Sequence, residues 1–189
     1  MTVSIKLVSD PAEIVGIFKL HQANLSTTLS AEEAANEGFL SAQYDLNFLQ
    51  RMNQISPAVI AVTNDVVVGY VLVATTDVRH EHPLLADLFN TIDRWPFEGG
   101  VLGNRRYVVC GQLCVAKAYR GMGLVQHMYG YLARELSDQF DCVITDVALN
   151  NPRSLRAHLK SGFIVCGQVP YGDIDWYLVL CDWRKRLVS

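Results

Sequence analysis

A mixed α/β fold, one sheet with helices packed on it, is the architecture the order of elements predicts. Three observations carry it. Short β-branched runs alternate with stretches whose apolar residues recur every three or four positions. The run Tyr107-Val-Val-Cys-Gly-Gln-Leu-Cys-Val115 is apolar and β-branched, which suits a buried strand. Just beyond it, Arg120-Gly-Met-Gly123 leads straight into Leu124, Met128, Leu132 and Leu136, whose four-residue spacing gives a helix with one apolar stripe.

In chain order, Ser4 to Leu7 reads as a first strand. Asp10 before Pro11 caps a helix that runs to about His21. A polar Ser30–Gly38 segment follows, then Ser41–Met52 with helical spacing at Tyr44, Phe48 and Met52. Val59–Val62 and Val66–Val73, joined by Thr63-Asn-Asp65, form a hairpin. Gly69 interrupts the second strand and marks a bulge there. Arg79–Gly103 is long for a connection between strands. Leu85, Leu88, Phe89 and Ile92 give its middle the pattern of an amphipathic helix over His82–Trp95, which serves either as a wall of a binding site or as cover for the sheet edge. Cys142–Leu149 is a fifth, buried strand. Phe163–Gly167 and Trp176–Cys181 form a terminal hairpin around Tyr171–Asp175. No repeat, linker or low-complexity tract divides the 189 residues, which read as a single domain over 1–189.

The chemistry concentrates at Arg120–Val125. Glycine accepts the positive φ that a sharp turn demands. A turn of this kind at a helix N-terminus points free backbone N–H groups outward, with the helix dipole behind them, and so forms an anion site. The run G-x-x-x-x-G-K-[ST] is absent, which argues against a nucleoside-triphosphate P-loop, and so is a G-x-G-x-x-G opening a βαβ unit.

The run from Leu113 to Val125 resembles the acyl-coenzyme A loop of the GNAT superfamily of acetyltransferases, in which a strand end L-x-V precedes [QR]-x-x-G-x-[GA]. Leu113-Cys-Val115 matches the strand end and Arg120-Gly-Met-Gly123 most of the turn. Val125 departs from the family's Gly or Ala and should narrow the space beside the diphosphate. A second segment, Asn151-Pro-Arg-Ser-Leu-Arg-Ala-His-Leu-Lys-Ser-Gly-Phe163, resembles the family's N-x-x-[AS]-x-x-x-[YH]-x-x-x-G-F. Its local chemistry is self-consistent. Asn151 is a good N-cap, Pro152 suits the first helical turn and Gly162 the C-terminal cap. Asn151, Ser154 and His158 fall on one helix face.

The resemblance implies a GNAT-like mixed, mostly antiparallel sheet splayed between its fourth and fifth strands, with acetyl-coenzyme A as cosubstrate in the gap. Leu113, Cys114 and Val115 would contact pantetheine through main-chain groups. The amides of Arg120, Gly121, Met122, Gly123, Leu124 and Val125 would hold the diphosphate, Asn151 the pantetheine end, with Ser154 near the phosphate side. An acceptor amine, on a small molecule or a peptide, would attack the thioester directly in a ternary complex. His158, where relatives often carry Tyr, reads either as a general acid to the leaving sulfur or as a helix histidine held by a structural bond. The Tyr107–Val115 strand lacks the carboxylate many relatives keep there. Asp146 is the candidate base, with Tyr171 and Asp173 behind it. That missing carboxylate motivates the alternative of an acyl-coenzyme A-binding module without turnover. A third reading is an interaction protein using Arg79–Gly103 as its surface.

Composition excludes other classes. A net charge of −3 with no strongly basic segment lacks the footprint of a nucleic-acid binder, and Arg184-Lys185-Arg186 reads as a solvated tail. The longest apolar run, Val66–Ala74, is too short to span a bilayer, and the N-terminus lacks a signal-peptide pattern. Cys110, Cys114, Cys142, Cys166 and Cys181 form no C-x-x-C pair, and no His falls at metal-ligand spacing. They are expected to be buried free thiols of a cytoplasmic protein, with a thiolate at Cys114 the minor reading. No metal is expected, and oligomeric state is open, a homodimer included.

Overall fold

The computed structural model describes residues 2–171 and 174–184. Seven strands form one sheet: β1 (Ser4–Leu7), β2 (Val59–Thr63), β3 (Val66–Ala74), β6 (Tyr107–Val115), β7 (Cys142–Ala148), β8 (Ile164–Tyr171) and β9 (Ile174–Asp182). Their spatial order is β1-β2-β3-β6-β7-β9-β8. Every pair is antiparallel except β6–β7, which is parallel. Two further two-residue strands, β4 (Pro96–Phe97) and β5 (Gly100–Val101), make a separate hairpin within the long insert. The predicted mixed, mostly antiparallel sheet is therefore what the chain forms.

Side chains alternate across the sheet, so each strand feeds two cores. One core packs Ile60, Tyr70, Leu72, Val109, Ile144 and Leu180 under helices α1 (Pro11–Gln22), α3 (Leu46–Ile55) and α4 (Pro83–Arg94). The other packs Val59, Val71, Val108, Val143 and Val179 under α5 (Leu124–Leu136). α2 (Ala31–Glu37) and α6 (Pro152–Lys160) flank the end of the sheet where β6 and β7 part.

Local signals set the helix ends. Asp10 accepts from Ala12 N, and Glu13 accepts from the Ser9 and Asp10 amides, a reciprocal cap worth about 1 kcal/mol. His82 caps α4 by accepting from Leu84 N. α4 buries Leu85, Leu88, Phe89 and Ile92, each contributing about 1.5–3 kcal/mol if counted against full exposure. The insert covers the sheet, and the first turn of α4 lines a pocket.

The third helix starts later than its periodicity predicts. Ser41–Met52 was the expected span, but the helix begins at Leu46, because Asp45 accepts from Phe48 N and acts as N-cap. Ser41–Asp45 stays outside the helix and its backbone is used elsewhere. The bulge expected at Gly69 falls one residue away. Ala61 pairs with Gly69 and Val62 with Val67, so Val68 is the unpaired residue. Gly69 is instead a close-packing position, where a Cβ would stand 3.3 Å from both Cys114 O and Met128 Cε. A second bulge was not foreseen. Leu72 pairs with Gln112 and Val73 with Cys110, leaving Gly111 unpaired in β6. The turn of the terminal hairpin, including Asp173, lies outside the described residues.

Candidate active site

β6 and β7 pair only over Tyr107–Cys142, Val108–Val143 and Val109–Ile144. One further bond joins them, from Thr145 Oγ1 to Cys110 O at 2.9 Å. Past that point they diverge, β6 remaining bonded to β3 and β7 to β9. Ala116 N donates to Val68 O, which assigns Cys114 to the β3 side by alternation and turns the main-chain groups of Leu113 and Val115 toward the gap. The bulge at Gly111 sits where the divergence begins.

The turn after β6 closes one end of the gap. Gly121 and Gly123 have φ of +80° and +74°, and a Cβ at Gly121 would meet nothing within 4 Å. The first intrahelical bond of α5 is His127 N to Gly123 O at 3.1 Å. Among the described residues, the amides of Gly121, Met122, Gly123, Leu124, Val125 and Gln126 donate to no protein acceptor, whereas Arg120 N reaches Lys117 O. Six consecutive free N–H groups stand at the positive end of a 13-residue helix, an arrangement that favours negative charge. Five of these residues, all but Met122, line a cavity of about 430 Å³ that Arg153, Arg156 and Lys160 also line. These three cations of α6 stand at i, i+3 and i+7, a spacing already visible in the sequence.

The side chains of two motif residues, Arg120 and Asn151, are engaged within the protein. The Arg120 guanidinium donates to Val115 O (2.9 Å), Glu37 O (3.1 Å), Glu37 Oε2 (2.7 Å) and Asn24 Oδ1 (2.8 Å). Asn151 Oδ1 accepts from Ser154 N as the N-cap of α6, and its Nδ2 donates to Phe39 O at 2.9 Å. Leu113, Cys114, Val115, Leu124, Val125 and Ser154 line the cavity, while Met122 is exposed and does not. Cys114 is buried, and burial pushes its thiol up to about 12, so it carries no thiolate at neutral pH.

A smaller pocket of about 80 Å³ continues from the same gap, sharing Phe39, Leu40, Leu113, Asn151 and Ser154 with the larger one. Asp146 of β7, Gly111 and Tyr44 line it together with Leu84, Leu88 and Trp176. Tyr44 Oη donates to Gly111 O at 3.1 Å. Burial, and then the neighbouring Asp146 and Cys110, raise its phenol well above the usual range.

His158 is buried and both its ring nitrogens are taken. Nδ1 stands 2.8 Å from Ser154 O, which can only accept, so Nδ1 carries the hydrogen. That leaves Nε2 as an acceptor, 2.9 Å from Tyr129 Oη. Burial lowers its pKa to about 4, the Ser154 bond opposing only in part. The ring is neutral at pH 7, with no proton on Nε2 to give. The structure therefore fits the structural bond, and not the general acid.

The chain belongs to the acetyltransferase (GNAT) family, whose sequence model matches residues 23–163. No curated protein matches the sequence. Among solved structures, the fold is similar to a chain of the NatC complex bound to Gag peptide and CoA (TM-score 0.67, 16% identity, covering 96% of this chain and 99% of that one). It is similar also to Ard1 from Thermoplasma volcanium (0.65, 14%, 96% and 98%) and to yncA, a putative acetyltransferase from Salmonella typhimurium with its cofactor acetyl-CoA (0.60, 20%, 97% and 95%). Among the described residues, no group of three His, Cys, Asp or Glu side chains is placed to hold a metal, and no helix is long and apolar enough to cross a membrane.

Proposed function

We propose that the protein transfers an acetyl group from acetyl-coenzyme A to a primary amine of a small molecule or peptide, both substrates bound together. The observation that carries this reading is the run of six unbonded amides from Gly121 to Gln126 beside the open edge of β6. Main-chain donors at a helix start suit a diphosphate, the cations of α6 add positive potential, and the free groups of Leu113 and Val115 suit the amide-bearing pantetheine arm. Arg120 takes Val115 O, so Val115 offers its N–H alone.

Acetyl-coenzyme A supplies the activated acyl group. The acceptor nitrogen forms the new C–N bond, the C–S bond breaks and thiolate leaves, so the amine must arrive unprotonated. For a lysine-like amine, freeing the nitrogen at pH 7 costs about 4–5 kcal/mol; for an α-amine only about 1–1.5. Asp146, which lines the small pocket continuing from the gap, is our candidate to take that proton, directly or through water. Backbone N–H groups at the end of β6 would stabilise charge developing on the acyl oxygen. The pocket's small volume favours an amine with a short body.

The test is release of free thiol from acetyl-coenzyme A on adding each amine of a panel spanning α-amino peptides, lysine side chains and polyamines. Amine-dependent release supports transfer. Silence across the panel, with coenzyme A still bound, leaves a binding module instead.

A further inference from the structure

We propose that Glu37–Tyr44 is a strap forming the wall common to the cofactor cavity and the acceptor pocket, and that Arg120 and Glu37 are positioning residues that fasten it there and not ligands of coenzyme A phosphates. The assignment of the two cavities rests on the acyl-transfer reading; the fastening of the strap does not.

The strap crosses the mouth of the gap between β6 and β7. Gly38, Phe39 and Leu40 line the larger cavity, and Phe39, Leu40, Ser41, Ala42 and Tyr44 the smaller. It is held at close intervals. Arg153 donates to Asn36 O, Arg120 to Glu37 O, and Asn151 to Phe39 O. Leu40 N donates to Asn24 O, Gln112 Nε2 to Ala42 O, and Tyr44 N to His21 Nε2. The last two belong to a buried network in which His21 Nδ1, its hydrogen fixed by the role of Nε2, donates to Gln112 Oε1 at 2.7 Å while Tyr70 donates to the same oxygen. Two residues of the sequence motifs, Arg120 and Asn151, thus spend side-chain donors on the strap.

Charge separates positioning from phosphate binding. The Glu37 carboxylate lies 2.7 Å from Arg120, 3.4 Å from Arg153 and 3.5 Å from Lys117, on the rim of the cavity where a diphosphate would sit. A carboxylate there repels phosphate and occupies its cations. It is the wrong group for affinity and the right one for anchoring a chain terminus of α2 against an arginine already tied to β6 and to Asn24, just after α1. Gly38, with φ of +75°, turns the chain out of α2, and a Cβ there would stand 2.9 Å from Asn151 Oδ1, so strap and cap fit closely.

The experiment compares wild type, Glu37→Gln and Glu37→Ala by amide hydrogen exchange and coenzyme A calorimetry, then by kinetics with the amine giving the highest wild-type rate. In Glu37→Ala the Leu40 amide should exchange about tenfold faster or more, a local opening that leaves the core strands protected. Coenzyme A should bind as tightly as to wild type, or tighter. The amine KM should rise about fivefold or more with kcat at saturation within about threefold, which marks lost positioning and not lost chemistry. Glu37→Gln, which still accepts from Arg120, should fall between. Unchanged Leu40 protection, or weaker coenzyme A binding by tenfold, overturns the proposal. If wild type itself binds no coenzyme A, the acyl-transfer reading fails, and the exchange result still decides whether Glu37 fastens the strap.

Discussion

Replacing Gly123 by Glu and, separately, by Ala divides backbone strain from charge. Both variants place a Cβ on a residue at φ +74°, and the nearest atoms it would meet are His127 Cε1 at 3.8 Å and Gln126 Oε1 at 4.0 Å. No clash follows, so the shared cost is the left-handed conformation, about 1–2 kcal/mol. For a domain this size that lowers Tm by about 2–8 °C. Only Glu adds a negative charge at this turn. A pair of like charges about 4 Å apart costs about 1 kcal/mol in bulk water and about 4 kcal/mol at the effective dielectric of a protein surface. Coenzyme A affinity should therefore fall about 5- to 1000-fold further in Gly123→Glu than in Gly123→Ala, and the difference should shrink in high salt. Calorimetric titration with coenzyme A, paired with thermal melts, reads both quantities. Equal affinities for the two variants would refute the placement of the phosphates at this turn.

Other outcomes follow from the site. Asp146→Asn should lower kcat about 100-fold or more at neutral pH with coenzyme A affinity kept, as expected for loss of a proton acceptor; a change under threefold would remove Asp146 from the chemistry. Tyr129→Phe leaves the buried Nε2 of His158 without its donor and should cost about 1–3 kcal/mol in thermal or denaturant unfolding, with turnover near wild type. A large loss of kcat at unchanged stability would restore His158 as the acid. The pH dependence has a definite sign. His158 titrates near 4 when folded and near 6.5 when unfolded, so between those values the unfolded chain binds more protons. Stability contributed by the neutral ring is full above pH 6.5 and falls as the pH drops toward 4, by roughly 2–4 kcal/mol. Burial lowers His21 in the same direction. Chemical denaturation from pH 4 to 8 should show the slope, and His158→Gln should flatten it.

Local rules made much of this legible. Asp10, Pro11, Asn151 and Pro152 mark helix starts by chemistry confined to a few residues, and Gly121 and Gly123 adopt the positive φ that their turn requires. The free amides follow from that turn and needed no tertiary information. Spacing alone starts α3 too early, because Tyr44, Phe48 and Met52 keep helical periodicity across Asp45, while the cap and two distant partners hold Ser41–Asp45 out of the helix. Those partners, His21 and Gln112, are 91 residues apart in the chain, and nothing local announces them. Likewise the motifs give the Arg120 amide and the Asn151 side chain to the ligand, and say nothing of what the Arg120 guanidinium holds. That they are tied to Glu37, Asn24 and Phe39 depends on where α2 docks. His158 matched a motif position, but its role turns on a tyrosine from another helix.

The most direct test is an amide-resolved NMR titration of the ¹⁵N-labelled protein with coenzyme A. The six N–H signals from Gly121 to Gln126 should move together with those of Leu113 and Val115, and saturate at a single dissociation constant. Shifts that spare this turn and collect elsewhere on the molecule would contradict the account.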